Sequence, residues 1–155
     1  MLKISRQTDY GIVILMLFAR EPKGAVLNAR DLSSEANLPL PTASKILKIL
    51  ARGGILQSRR GAKGGYSLIR TPAEISVAQI VRALEGPIAM TACVEDAPGC
   101  CEMETWCPVR GNWQIINQAV YGALDGISLA EMARPLLDPL PLLGPAAEAG
   151  EGGGR

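Results

Sequence analysis

Pro41-Thr-Ala-Ser-Lys-Ile-Leu-Lys-Ile-Leu-Ala-Arg52 runs through Gly53-Gly54 into Ile55-Leu-Gln-Ser-Arg-Arg-Gly-Ala-Lys-Gly-Gly-Tyr-Ser-Leu-Ile69, and this stretch decides the fold. In its first part Ala43, Ile46, Leu47 and Leu50 recur at i, i+3, i+4 and i+7. That spacing lays four apolar side chains along one face of an α-helix. The other side carries Thr42, Ser44, Lys45, Lys48 and Arg52. Pro41 suits the first helical position, where its missing N–H costs nothing, and Gly53-Gly54 stops the helix. Two strand-like pieces, Ile55–Ser58 and Tyr66–Ile69, then flank the glycine-rich basic tip Arg59–Gly65, which predicts a β-hairpin.

Upstream, a first helix is expected from Ser5 to Ala19, broken at Arg20-Glu-Pro-Lys-Gly24. Asn28 reads as an N-cap with Asp31 in the first turn of a second helix, which buries Leu32 and Ala36 and ends near Asn37. Leu38-Pro-Leu-Pro41 makes the turn into the third. Helix, helix, turn, helix, hairpin is the order of a winged helix-turn-helix. The cationic face of the third helix would lie in a major groove. Arg59, Arg60 and Lys63 at the wing tip would reach phosphates or a minor groove. The plainer alternative is that these cations form only the solvated face of an amphipathic helix. The basic hairpin that follows directly favours DNA. Gly61-Ala-Lys-Gly-Gly65 is not a phosphate-binding P-loop, since no Gly-Lys-Ser/Thr and no following helix accompany it.

Charge is divided along the chain. Residues 1–86 hold 13 Lys/Arg against 6 Asp/Glu, a net +7, and residues 87–155 hold 3 against 9, a net −6. A basic half joined to an acidic one fits a polyanion-binding module with an appendage. The chain has no histidine, which excludes Ser-His and Cys-His nucleophiles and removes the commonest general base. The apolar run Ile12–Phe18 is too short to span a bilayer and lacks a convincing cleavage site, so it reads as a buried helix in a cytoplasmic protein.

Downstream, Thr71-Pro-Ala-Glu74 and Ser76-Val-Ala-Gln79 are capping-box patterns before a helix that ends at about Glu85, ahead of Gly86-Pro87. A long helix is expected from near Pro108, with Val109, Trp113, Ile116, Val120 and Leu124 along one stripe. Only Arg110 and Asp125 are charged between Pro108 and Gly126, so more than one side of this helix should be covered, and a second copy of the chain is the natural cover. Ser128-Leu-Ala-Glu131 opens a short last helix. From about Pro135 the composition is that of a disordered tail. The expected fold is therefore mainly α with a small β-hairpin. Residues 1–86 form a winged helix-turn-helix domain and 87–107 a cysteine-rich loop. Residues 108–134 form a dimerisation helix and a short C-terminal helix, and 135–155 the tail.

All four cysteines lie between Cys93 and Cys107. The spacing Cys93-x7-Cys101-x5-Cys107 is neither a paired-knuckle zinc pattern nor a small-ferredoxin motif. Clustered thiols in a reducing compartment still favour a soft metal centre over a disulfide framework.

Ser5-Arg-Gln-Thr-Asp-Tyr-Gly11, Leu38 to Leu50 and Arg59-Arg-Gly-Ala-Lys-Gly-Gly-Tyr-Ser-Leu68 resemble the Rrf-two family of bacterial winged-helix repressors, which includes IscR and NsrR. Leu84-Glu-Gly-Pro-Ile88, the cysteines and Cys107-Pro-Val-Arg-Gly-Asn-Trp113 are similar to the regulators of SUF iron–sulfur cluster assembly. The resemblance covers residues 1–134. It implies a homodimeric, non-enzymatic regulator on double-stranded promoter DNA, with neither a membrane nor a small-molecule substrate as partner. It also implies an iron–sulfur cluster, two-iron or four-iron, held by three loop cysteines.

The resemblance to members with a five-residue spacing between the last two thiols and a Gly two before the central one, as Gly99 stands before Cys101, implies Cys93, Cys101 and Cys107 as ligands, with Cys100 as the alternative ligand. A histidine ligand three residues past the last cysteine, found in some members, is closed here because Arg110 stands there. Other members use an aspartate from the partner's first helix, and Asp9 stands at the matching place. Its plainer role is an acid in a helix's first turn, and Cys100 and Glu102 are competing donors. The expected function is a cluster-sensing repressor of iron–sulfur assembly genes. The alternatives are a redox- or nitric-oxide-responsive regulator of other genes and an iron–sulfur or thiol redox protein.

Overall fold

The computed structural model describes residues 4–91 and 106–134. Helix α1 is Arg6–Arg20, with Ser5 as its N-cap accepting a hydrogen bond from the Thr8 amide at 3.3 Å. Helix α2 is Ala29–Glu35, and Asn28 Oδ1 accepts from the Asp31 amide at 2.9 Å. Asn37 turns the chain at φ 52°, and the Leu38 amide bonds back to the Ser33 carbonyl. Helix α3, Leu40–Arg52, begins one residue ahead of Pro41, at a turn that already has Pro39 in extended backbone. Ala43, Ile46, Leu47 and Leu50 are its buried positions, as the periodicity requires.

Strands β1 (Leu56–Arg59) and β2 (Gly65–Leu68) pair antiparallel, with Leu56 opposite Leu68 and Arg59 opposite Gly65. The wing is not free-standing. Leu27 and Tyr66 exchange backbone hydrogen bonds of 2.9 and 2.8 Å, so the segment before α2 forms a further bridge to β2. Gly65 permits this contact, because a Cβ there would lie 2.4 Å from the Leu27 carbonyl oxygen.

After the hairpin, the capping box predicted at Thr71 closes a single 3-10 turn, Pro72–Glu74, and Thr71 holds the Glu74 carboxyl below its ordinary range through side-chain and then backbone hydrogen bonds. Helix α4 is Val77–Glu85. Its predicted capping box is half made: Ser76 accepts from the Gln79 amide, but the Gln79 side-chain oxygen is buried with no hydrogen-bond partner.

The ends of α1 and α4 clasp each other. The Ser5 amide donates to Glu85 Oε1 at 2.8 Å, and Gln7 Nε2 donates to the Leu84 carbonyl at 3.2 Å. A carboxylate thus sits on the N-terminus of α1 and an amide donor on the C-terminus of α4, which suits both helix dipoles. The Thr8 hydroxyl, more than Ser5, holds the Glu85 carboxyl below the usual carboxylate range. Leu84 also fills the space over Gly11, where an added Cβ would lie 2.5 Å from Leu84 Cδ1 and 3.6 Å from Ile46 Cγ2. Helices α1, α3 and α4 meet there.

Helix α5 is Arg110–Asp125, two residues later than Pro108 suggests, and α6 is Leu129–Met132 with its Ser128 capping box formed. The last helix belongs to the same core as the winged unit. The Val77 amide bonds the Ile127 carbonyl and the Leu129 amide bonds the Ile75 carbonyl, both at 2.8 Å. Ser76 Oγ donates to Asp125 Oδ1 at 2.7 Å. Leu129 is fully buried in one cluster with Ile14, Leu47, Ile75 and Ile80. Leu129→Ala should therefore cost roughly 2–5 kcal/mol of folding stability, as for a buried leucine elsewhere. Urea denaturation checks this; a loss below about 1 kcal/mol would mean that the C-terminal turn lies outside the cooperative core.

Candidate nucleic-acid interface

The outward face of α3 presents Lys45, Lys48 and Arg52 fully exposed, with Thr42 and Ser44 half-buried beside them. Among the described residues these three cations make no ion pair, so their charge is uncommitted. Leu40, at the start of the helix, is 39 % exposed although apolar. A methyl-bearing side chain there could meet a thymine methyl in the major groove.

Three clefts sort the predicted residues. Thr42 and Lys45 share one with Gln7 and Tyr10 of α1. Lys63 at the wing tip shares another with Asn28 and Arg30 at the start of α2. Arg52, one turn past Lys48, shares a third with Arg70 and Arg82. Arg59 and Arg60 are exposed on the hairpin. Lys45 at the start of α3, and Arg30 and Lys63 beside Asp31 where α2 meets the wing tip, place cations in two clefts suited to phosphates and base edges. Sequence reading missed Tyr10 and Arg30. Neither belongs to a periodic pattern, and only the tertiary approach of α1 to α3 and of the wing to α2 reveals them.

Asp9 lies in the first turn of α1 and is exposed. Ser5 already supplies the cap, and the Asp9 carboxylate makes no hydrogen bond or ion pair among the described residues. Cys107 is half-buried three residues before α5, its carbonyl accepting from the Arg110 amide. At the other end of the cysteine segment, the Met90 amide donates to Asn117 Oδ1 at 3.0 Å, pinning the segment's root to the middle of α5. Cys93, Cys100, Cys101 and Glu102 lie outside the described residues, as does the stretch 135–155. Among the described residues no group of three or more histidine, cysteine, aspartate or glutamate side chains could hold a metal ion. Nor is any helix there long and apolar enough to cross a membrane.

The stripe predicted on α5 divides in two. Trp113, Val120 and Leu124 line a cleft against Val81 and the 87–90 segment. Val109 and Ile116 face away and are 46 % and 42 % exposed, joined by Ile115 at 71 % and Tyr121 at 37 %. One half of the stripe packs within the chain, and the other is left uncovered.

Comparison with known proteins agrees with this architecture. The family described as Rrf2, iron-dependent transcriptional regulator, matches residues 4–135. The transcriptional repressor NsrR of Streptomyces coelicolor is 28 % identical over 142 residues, covering 91 % of this chain and 95 % of that one. The structure of CymR, the global cysteine regulator of Bacillus subtilis, superposes with a TM-score of 0.66 at 32 % identity, covering 86 % of this chain and 97 % of that one. The structure of T. potens IscR superposes with a TM-score of 0.62 at 26 % identity, covering 84 % and 85 % respectively.

Lys48→Ala and Arg60→Ala should each weaken binding to duplex DNA and flatten its dependence on salt by roughly one unit of log–log slope. A salt titration followed by fluorescence anisotropy checks this. Two variants that bind as tightly as the parent, with the parent's slope, would displace the interface from α3 and the wing.

Proposed function

The chain belongs to the Rrf2 family of transcriptional regulators, and on that premise we propose that it is a homodimeric, iron–sulfur cluster-sensing repressor of the SUF cluster-assembly genes. The observation that carries this reading is the anchoring of the cysteine segment. It leaves α4 beside the α1 clasp and enters α5, which is tied back to the winged core at Ser76. Chemistry at those thiols acts on residues already fixed to the DNA-reading helix.

Two described residues have the donor chemistry such a group takes. Cys107 offers a half-buried thiol, and Asp9 offers an exposed carboxylate with no competing partner among the described residues. Cys107, with Cys93 and Cys101 beyond the described residues, would hold the cluster, and the partner subunit's Asp9 would supply the fourth donor. Cys100 and Glu102 are the alternative donors. When bound, an iron–sulfur cluster supplies a centre sensitive to oxidants and to competing ligands.

The chain's own residues transmit the change. The Glu85 carboxylate holds the first turn of α1, and so the base of Asp9, against the end of α4. Leu84 wedges over Gly11, and Ile46 of α3 lies beside the same glycine. A shift of α1 relative to α4 therefore moves the reading helix. Packed elements of this kind move between discrete arrangements instead of deforming continuously. The uncovered face of α5, with Ile115, Ile116 and Tyr121, is the surface for the second copy.

A second reading, a redox- or nitric-oxide-responsive repressor of other genes, uses the same residues. The similarity to the repressor NsrR over 91 % of the chain favours keeping it. Anaerobic isolation tests both. The expected product is a brown protein that contains iron and sulfide, and Asp9→Ala should change its absorption spectrum or hasten cluster loss while the dimer stays folded. A colourless protein whose DNA binding survives thiol alkylation unchanged would rule out cluster sensing.

A further inference from the structure

Three arginines from three separate segments line one cleft at the far end of α3. Arg52 comes from its last turn, Arg70 follows β2, and Arg82 lies on α4. Together with Gln79, and over a floor that includes Ile49 and Ala83, they line a cleft of about 630 Å³. Among the described residues no carboxylate lines it. Among the described residues Arg52 and Arg82 make no hydrogen bond or ion pair. Arg70 donates to the Glu74 carbonyl at 3.3 Å, and the Glu74 carboxylate is itself taken by Thr71. Glu74 acts on Arg70 from outside the cleft, but no described carboxylate stands in its lining beside the three arginines, and the arrangement favours an anion. Gln79 also lines the cleft, with its side-chain oxygen closed off from solvent.

The chemistry that satisfies the three arginines is a small molecule with several anionic oxygens. A phosphate monoester and a hydroxy-polycarboxylate both qualify. Guanidinium forks match phosphate and carboxylate alike, and the volume falls within the roughly 300–1,000 Å³ usual for small-ligand clefts. Operator DNA is the other polyanion at hand, but the position disfavours it. The wing tip sits by the start of α2 and Thr42 by the start of α3. Arg52 lies ten residues further along that helix, about 15 Å at its rise per residue.

We propose that the Arg52–Arg70–Arg82 cleft is a second anion site, which binds a small phosphate- or carboxylate-bearing metabolite. A ligand there would bridge the end of α3, the root of the wing and α4, and so bias the reading helix independently of the thiols. The site rests on this geometry and not on the cluster reading.

The test uses the full-length chain. Its thermal unfolding is followed against sodium phosphate, sodium pyrophosphate and sodium citrate, with sodium chloride matched for ionic strength. The wild type should be stabilised saturably by at least one of these anions and not by chloride. Phosphate or pyrophosphate as the active arm assigns a phosphorylated ligand, and citrate assigns a polycarboxylate. Arg82→Gln and Arg70→Gln should each raise the half-saturating concentration roughly tenfold or more. Both should keep the unliganded melting temperature and the DNA affinity at fixed salt. The proposal is overturned if no anion acts saturably on the wild type, or if both variants respond as the wild type does. It is also overturned if both variants lose DNA affinity and salt dependence without added ligand, which would give the cleft to the operator.

Discussion

Two backbone hydrogen bonds close the molecule on itself. The Val77 amide reaches the Ile127 carbonyl and the Leu129 amide reaches the Ile75 carbonyl, with Ser76 and Ser128 paired between them. This bridge joins the start of α4 to the turn between α5 and α6. Everything from α4 to α5, the cysteine segment included, becomes an excursion with both feet on the winged core. Without the bridge, α5 would be an appendage held by one apolar face, and events along it would have no fixed frame to push against. Burial of Leu129 adds about 1.5–3 kcal/mol to the closure, enough to matter in a fold of ordinary marginal stability.

Much of this was legible in the sequence because it depends on local rules. The period of Ala43, Ile46, Leu47 and Leu50 gives a helix with its correct buried face, and Ser5, Asn28, Ser76 and Ser128 all act as N-caps. The hairpin follows from the glycine-rich tip between two short apolar runs. What escaped was tertiary. The return of Leu129 into the core cannot be inferred from Ser128-Leu-Ala-Glu131, which specifies a helix start and not its destination. The stripe on α5 was read as one surface, yet Trp113 and Leu124 pack within the chain while Ile116 looks outward, since periodicity orders residues on a helix without saying what covers them. The half-made cap at Gln79 shows the same limit: the pattern matched, and the side chain went elsewhere.

Charge follows a similar division. Counted along the chain, the basic half looks like one polyanion surface. Folded, its cations separate along α3. Lys45 lies with Tyr10 at one end, and Arg52 with Arg70 and Arg82 at the other. A helix of 13 residues places these groups far enough apart to meet different partners. Screening at physiological salt acts over about 8 Å, so the two clusters behave as nearly independent fields.

On the proposed function, a change at the cysteines is passed to α3 through the α1–α4 clasp and the Ile75–Leu129 bridge. The most direct measurement is the DNA affinity of a single anaerobic preparation before and after removal of the proposed cluster, at one salt concentration and with the oligomeric state unchanged. The account predicts a difference of at least roughly tenfold, a coupling of about 1.4 kcal/mol. Equal affinities in the two states would contradict it.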